Sequence, residues 1–348
     1  MKAKEFDNIE IVNIQEKNIM YGPIFPNYGD DLELLHYRSR EYPQVKPASI
    51  KTSSTPIIEA PLFWCGALNM HFGHFIVECI SRILPYKELK IKGKLCFSVM
   101  PNKCIQSFFW DVIDFFGYSK TDVVLVDDVI IAKKLLVAPQ NESLNQNEPT
   151  SEFYLDLLDK NSPPVPYDKR TGGVYYFSRT QLDKYTGKLA GELYIEKYLK
   201  ACGVKIVYPE QLTVHEQVEI FKNADLIIML EGSACHTLQL LGKTDCDLFI
   251  IKRRPQELNH IALAQRCNVK TNHTSFNFFE AGLDRAGVVN QNWGICVYPI
   301  DLIKEITTEI IKYDFPIKEQ QISEKEYNEI AENDIAQFKA KQVSRKLK

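Results

Sequence analysis

An α/β protein with two mostly parallel sheets is the fold class this sequence predicts. Three observations predict it. Apolar runs of strand length alternate with helix-length stretches from Leu62 to Ala138. The alternation lapses between residues 139 and 172, where the chain turns polar and proline-rich. It restarts at Val174 and continues to about residue 266. Such alternation suits parallel strands joined by crossover helices. At 348 residues the chain has room for roughly two domains.

Taken in order, the first sixty residues read as an irregular lead-in of short strand-like runs and turns. Residues 74–84 read as a helix with Phe75, Cys79, Ile80, Ile83 and Leu84 on one side. Pro85 is expected to end it, because proline lacks the N–H a helix interior needs. Strands are expected at 94–100, 123–126 and 130–138, with a helix at 105–116. Ser162-Pro-Pro-Val-Pro marks a boundary, with a short helix at 153–158 before it. In the second half, strands are expected at 174–177, 204–207, 226–230 and 247–251. Helices are expected at 189–201, 213–223, 233–241 and 256–266. Thr213 and Glu216 have capping-box spacing. The expected organisation is an N-terminal α/β domain over 1–150, a linker over 151–172, a C-terminal α/β domain over 173–317 and a charged helical tail over 318–348.

Composition narrows the class. Hydrophobic residues at 45% and charged residues at 25% suit a soluble globular chain. A net charge of -3 argues against a general nucleic-acid binder, which carries a basic excess. The charged N-terminus has no apolar signal core, and no run approaches the roughly 18 apolar residues of a membrane span. Nine cysteines without a C-x-x-C pair point to reduced thiols and a cytoplasmic location. The basic end of the tail, 339–348, allows peripheral association with an anionic membrane surface or a partner helix. The plainer reading is a solvated helix.

Two stretches carry candidate chemistry. In Leu226-Ile-Ile-Met-Leu-Glu231-Gly-Ser-Ala-Cys-His236 a buried strand ends in a polar turn. Gly232 and Ser233 would open a helix whose free N–H groups suit a phosphate, with His236 one turn on. Tyr175-Tyr-Phe-Ser178-Arg179 also ends a strand, and an arginine grips phosphate bidentately. Together they read as a two-point clamp for a pyrophosphate, at the carboxyl ends of strands where α/β sheets collect ligands.

The second candidate lies in Asn69-Met-His71-Phe-Gly73-His74 and the helix beyond it. On that helix His74, Glu78 and Arg82 fall on one face. A histidine beside a carboxylate and a guanidinium suits general-base catalysis; the plain alternative is a stabilising ladder. A metal held by His71, His74 and Glu78 lacks any recognised spacing. Asp245-Cys246-Asp247 starts a strand, the wrong end for a ligand, and reads as a turn. The adjacent pairs Asp127-Asp128 and Asp30-Asp31 would diverge on a strand. No P-loop or G-x-G-x-x-G is present.

These motifs resemble family 61 glycosyltransferases in the form seen in capsular polysaccharide biosynthesis. Asn69-x-x-x-Gly73-His74-Phe75, with Glu78 and Arg82-Ile-Leu-Pro85, is similar to the family's N-terminal signature. Val174-Tyr-Tyr-Phe-Ser-Arg179 is similar to its strand-plus-Ser-Arg element. Glu231-Gly-Ser-Ala-Cys-His236 is similar to its Gly-rich turn. The segment around Val207-Tyr-Pro-Glu210 also fits, and the resemblance spans roughly residues 60–265. It implies a GT-B-like fold, two Rossmann-like domains with a cleft between them. It also implies an inverting transfer that needs no obligatory metal and no cofactor beyond the nucleotide-sugar co-substrate. The loop after Arg179 departs from the family pattern: it offers Lys184 and Lys188, with Glu192 beyond.

The function expected is transfer of a sugar from a nucleotide donor, UDP-linked by preference, to a capsular or other surface glycan or glycolipid. Glu78 is the first candidate base and His74 the second. Ser178, Arg179, Glu231, Gly232, Ser233 and His236 are expected at the diphosphate, and Asn69, His71 and Arg82 at the substrate. Two rivals stand beside this: a polysaccharide pyruvyltransferase using phosphoenolpyruvate, and a non-catalytic scaffold in glycan assembly.

Overall fold

A computed structural model describes residues 3–14, 22–26, 48–102, 104–142, 149–182, 187–255, 261–284, 286–318 and 320–346. The expected roles of Asp30, Asp31, Lys184, residues 256–260 and the final Leu347 and Lys348 lie outside them. The chain divides into two compact units. One is Met1–Pro164 with His236–Lys243, and the other is Val165–Cys235 with Thr244–Lys348. The helix Glu152–Asn161, expected in a linker, therefore belongs to the first unit.

The first unit is built on a sheet of β1 (Lys4–Val12), β2 (Ile57–Ile58), β3 (Leu62–Ala67), β4 (Lys94–Ser98), β5 (Val123–Val126) and β6 (Val129–Val137). Its order is β1-β6-β3-β4-β5, with β2 also on β6. Only β1 is antiparallel to its neighbour. Every residue of β3 is buried, which is why it reads as an unbroken apolar run. β1 corrects the irregular lead-in. Its apolar residues are diluted by charges that face outward or are satisfied locally. The buried Glu10 accepts the N–H groups of Ile50 (2.8 Å) and Lys51 (3.0 Å) and the Ser49 hydroxyl (2.6 Å).

After β3 the chain enters one continuous helical run. It is α-helical over Phe72–His74, a π turn over Phe75–Cys79, 3-10 over Ile80–Arg82 and α-helical again over Ile83–Glu88. The expected uniform helix ending at Pro85 is corrected in both respects. Proline at 85 cannot donate to the carbonyl four residues back. The side chain of Asn141 donates to that carbonyl, Ser81 O, at 2.8 Å. The backbone acceptor is thus satisfied and the helix passes through the proline.

The second unit holds a five-stranded, all-parallel sheet. Its strands are β7 (Val174–Phe177), β9 (Lys205–Val207), β10 (Leu226–Leu230), β11 (Asp247–Ile251) and β12 (Val269–Thr271). Their order is β12-β11-β10-β7-β9. β10 is the central strand and wholly buried. The mixed helices and parallel sheets make this an α/β protein. The capping box at Thr213 forms: its hydroxyl accepts the Glu216 N–H, and the Glu216 carboxylate accepts the Thr213 N–H at 2.8 Å. The turn after β10 leads into a 3-10 helix, Ser233–Leu240, instead of the expected α-helix. Of the helix expected at 256–266, the described part is Ile261–Ala264.

A smaller sheet of β8 (Lys188–Leu189), β13 (Phe278–Leu283) and β14 (Val289–Val297) has no counterpart in the sequence reading. The tail helix Glu324–Lys346 packs on it. Tyr327, Ala331 and Phe338 are buried on one stripe, and the Tyr327 hydroxyl donates to Tyr298 O at 2.9 Å. The Asp334 carboxylate accepts the Gly191 N–H at 2.9 Å. Gly191 sits at φ 82 under the Tyr327 ring, so two constraints demand glycine there. The helix is part of the second unit, not a solvated tail. All nine cysteines are free, and Cys104 alone is exposed. Among the described residues no helix is long and apolar enough to cross a membrane.

Candidate active-site residues

In the first unit, β3 delivers its chain to a loop at its carboxyl end. Asn69 is half-buried there and His71 exposed. The His71 carbonyl accepts the Phe75 N–H at 2.9 Å and so anchors the start of the helical run. After the three α-helical residues Phe72–His74 the helix widens to a π turn, an uncommon form that recurs at functional sites. His74 Nδ1 lies 2.8 Å from Glu78 Oε1. The Glu78 side chain is 2% exposed, whereas that of His74 is 28% exposed. With Glu78 ionised, Nδ1 donates its proton to the carboxylate and the lone pair resides on Nε2. The His71 ring meets the His74 ring edge-on, with centroids 5.3 Å apart.

His236 reaches this cluster from far along the sequence. A Cβ at Gly73 would collide with its imidazole. The ring's Nδ1 is 2.6 Å from Gln239 Oε1, and Gln239 in turn donates to the Glu142 carboxylate. Arg82 takes a different place from the one expected. It is fully buried, donates to the Ala138 carbonyl and has its pKa lowered by burial. It ties the helical run to the end of β6 together with Tyr86, whose hydroxyl accepts the Ala138 N–H at 3.0 Å.

In the second unit, Phe177 pairs with Met229 and Leu230 with Ile251, so the carboxyl ends of β7, β10 and β11 lie side by side. Arg179 leaves β7 there. Its backbone N–H donates to Glu192 Oε1 at 2.7 Å, and its Nη2 to Gly187 O at 3.4 Å. A Cβ at Gly232 would collide with its guanidinium, so the glycine after β10 makes room for the arginine after β7. The two halves of the expected clamp therefore meet. Ser233, half-buried, opens the 3-10 helix beside them. Ser178 is fully buried and donates to Glu196 Oε2 at 2.7 Å. Its hydroxyl also accepts the Thr180 N–H at 3.1 Å and so holds the turn. Glu196 also accepts from Thr180 (2.6 Å) and Tyr208 (2.7 Å). Burial pushes its carboxyl up, but the Thr180, Ser178 and Tyr208 hydroxyls outweigh that and hold it below the usual value.

Glu231, 2% exposed, accepts the Arg253 N–H at 3.0 Å and Arg254 Nε at 2.7 Å. Arg253 is itself buried. Burial above all, helped by the charge of Arg179 and opposed by Glu231, lowers its pKa to about 10. Burial likewise lowers the pKa of Arg179, and it pushes the Glu192 carboxyl up to about 7. Arg253, Arg254 and Glu196 were not singled out from sequence. The signal was present: Lys252-Arg253-Arg254 follows directly on the strand 247–251, at its ligand-collecting end. Asp245 and Asp247 sit at the other end of that strand. Asp247 accepts from Asn268 at 2.9 Å and from the Tyr313 hydroxyl, and Asp245 faces Arg170 at 3.7 Å. Among the described residues no group of three or more His, Cys, Asp or Glu gathers around a common point.

Residues 72–245, half of the chain, match the family model described as Glycosyltransferase 61. The chain belongs to glycosyltransferase family 61. It is a glycosyltransferase, and the partners such an enzyme has in general are a nucleotide-sugar donor and a glycan acceptor. The matched stretch contains His74, Glu78, Arg179 and the turn from Glu231 to His236; Arg253 and Arg254 lie beyond it. No curated protein matches the chain. Family membership sets aside the pyruvyltransferase and the non-catalytic scaffold.

Proposed function

We propose that this glycosyltransferase inverts the anomeric centre in a single displacement and needs no metal, taking its sugar from a UDP-linked donor. The observation that carries the reading is the His74–Glu78 pair. A buried carboxylate on Nδ1 of a partly exposed imidazole is the arrangement of a base with its orienting partner. His74 Nε2 takes the proton of the acceptor hydroxyl. The freed oxygen pair forms the bond to the anomeric carbon while the bond from that carbon to the β-phosphate oxygen breaks. The electron pair leaves with the nucleoside diphosphate, and Glu78 stabilises the imidazolium. This reverses the order expected from sequence, because Glu78 is too buried to meet an acceptor directly.

Arg179 and the N–H groups of the Gly232–Ser233 turn hold the departing diphosphate. Guanidinium charge at that turn takes the part a divalent cation plays elsewhere. His71, whose ring meets that of His74, and Asn69 in the same loop serve the acceptor. A GT-B-like architecture is part of the proposal. Its support is that each unit carries a wholly or mostly parallel α/β sheet with polar groups at the carboxyl ends of its strands. The acceptor is a capsular or other surface glycan, and the enzyme works in the cytoplasm. The exposed Lys339, near the end of the last helix, offers an anionic membrane surface a contact. A panel of UDP-, GDP- and CMP-sugars, incubated with the purified chain and followed by release of nucleotide, tests this. Turnover of a UDP-sugar is expected; turnover of none of the panel contradicts it.

A further inference from the structure

One arginine is a sparse site for a doubly charged leaving group, and residues 180–188 supply no second one. The neighbouring strand does. Arg253 and Arg254 leave the carboxyl end of β11, beside the end of β10 and the turn that accommodates Arg179. Both are fixed from two sides. Glu231 accepts the Arg253 N–H and Arg254 Nε, while the Asn292 backbone carbonyl accepts Arg253 Nη1 at 2.9 Å and its side chain accepts Arg254 Nη1. Room is reserved for this: a Cβ at Gly187 would collide with the Arg253 guanidinium. Arg254 spends Nε and Nη1 on these partners. Among the described residues its Nη2 has no hydrogen-bond partner, and its side chain is 15% exposed.

Charge does not balance at these strand ends. Three guanidiniums gather there. Of the nearby carboxylates, Glu231 is shared by Arg253 and Arg254, and burial pushes Glu192 up to about 7, where it is half neutral at neutral pH. Glu210 acts on Arg179 as a weaker influence. Arg179 Nε is buried without a hydrogen-bond partner among the described residues. Like charges drawn together out of water call for an anion.

We propose that Arg254, aligned by Glu231 and Asn292 and backed by Arg253, is the second guanidinium on the diphosphate of the donor nucleotide. Glu231 is then a positioning residue. The inference rests on the donor-site reading above and extends it to a residue outside the family match.

Calorimetric titration of the full chain with UDP, GDP and ADP identifies the diphosphate that binds best, and the monophosphate of the same base is the second probe. Arg254→Gln is expected to weaken the diphosphate roughly ten- to hundredfold, the effect of losing one hydrogen bond to a charged group. It should narrow the gap between diphosphate and monophosphate correspondingly. Arg254→Lys keeps the charge without the fork and should restore only part; it carries the same comparison if Arg254→Gln does not fold. Lys304→Gln, which removes an exposed charge from the same unit, should change neither affinity. Loss of diphosphate binding in Arg179→Ala but not in Arg254→Gln would leave the donor site standing and overturn this inference. Equal weakening of monophosphate and diphosphate in Arg254→Gln would reduce the residue to general support and also overturn it. Failure of the wild type to bind any of the three diphosphates would sink the donor-site reading and this inference together.

Discussion

The imidazole of His236 occupies the space that a side chain on Gly73 would need. The glycine of the first motif and the histidine of the last are thus one packing unit. Gly73→Ala must push the ring aside or strain the helix start. Such overpacking costs about 1–3 kcal/mol. Denaturant unfolding should show that loss in Gly73→Ala, and the double variant with His236→Ala should recover part of it. Additive losses would mean that the two residues are not coupled.

Arg179 anchors the donor at the end of β7. Arg179→Ala should weaken nucleoside diphosphate binding by roughly 1.5–3 kcal/mol, the range for a hydrogen bond to a charged group. Isothermal titration reads this directly, and an unchanged affinity would place the clamp elsewhere.

Metal independence is checked with chelator. Turnover of the donor should survive EDTA. Complete loss, restored by manganese or magnesium, would direct attention to a metal-held diphosphate.

Glu192 gives a pH dependence of known sign. Burial raises its folded pKa to about 7 from the ordinary value of 4.5. The folded state therefore binds the proton more tightly. Its contribution falls as pH rises from about 4.5 to about 7, by on the order of 3 kcal/mol at 1.36 kcal/mol per unit. Glu192→Gln removes this contribution and can still accept the Arg179 N–H. The difference in unfolding free energy between wild type and Glu192→Gln should grow in the variant's favour across that window. A difference independent of pH would contradict the assignment.

What was legible in the sequence follows burial. β10 is buried throughout and β11 from Leu248 on, and the two lie at 226–230 and 247–251 as their apolar runs predict. β1, β13 and β14 are partly exposed, and their apolar residues are spaced among polar ones too weakly to signal a strand. The tail helix hid its stripe of Tyr327, Ala331 and Phe338 among charges. Of the candidate site, Arg179 and Gly232 were legible because each follows a strand directly. The same reasoning applied to Arg253 and Arg254 would have found them. The π turn under Glu78 and the passage through Pro85 were not legible, since the latter depends on a side chain, Asn141, contributed from a distant part of the chain.

The His74–Glu78 pair is the centre of the account, and its most direct test is kcat in two variants whose nucleotide affinity is measured on the same samples. Positioned general-base catalysis is typically worth about 10²–10⁴-fold. His74→Ala should lower kcat by a factor in that range with diphosphate affinity nearly intact. Glu78→Gln, which keeps the shape but no longer stabilises the imidazolium, should lower it by a smaller factor. A normal kcat in His74→Ala would contradict the account and leave the pair with a structural role.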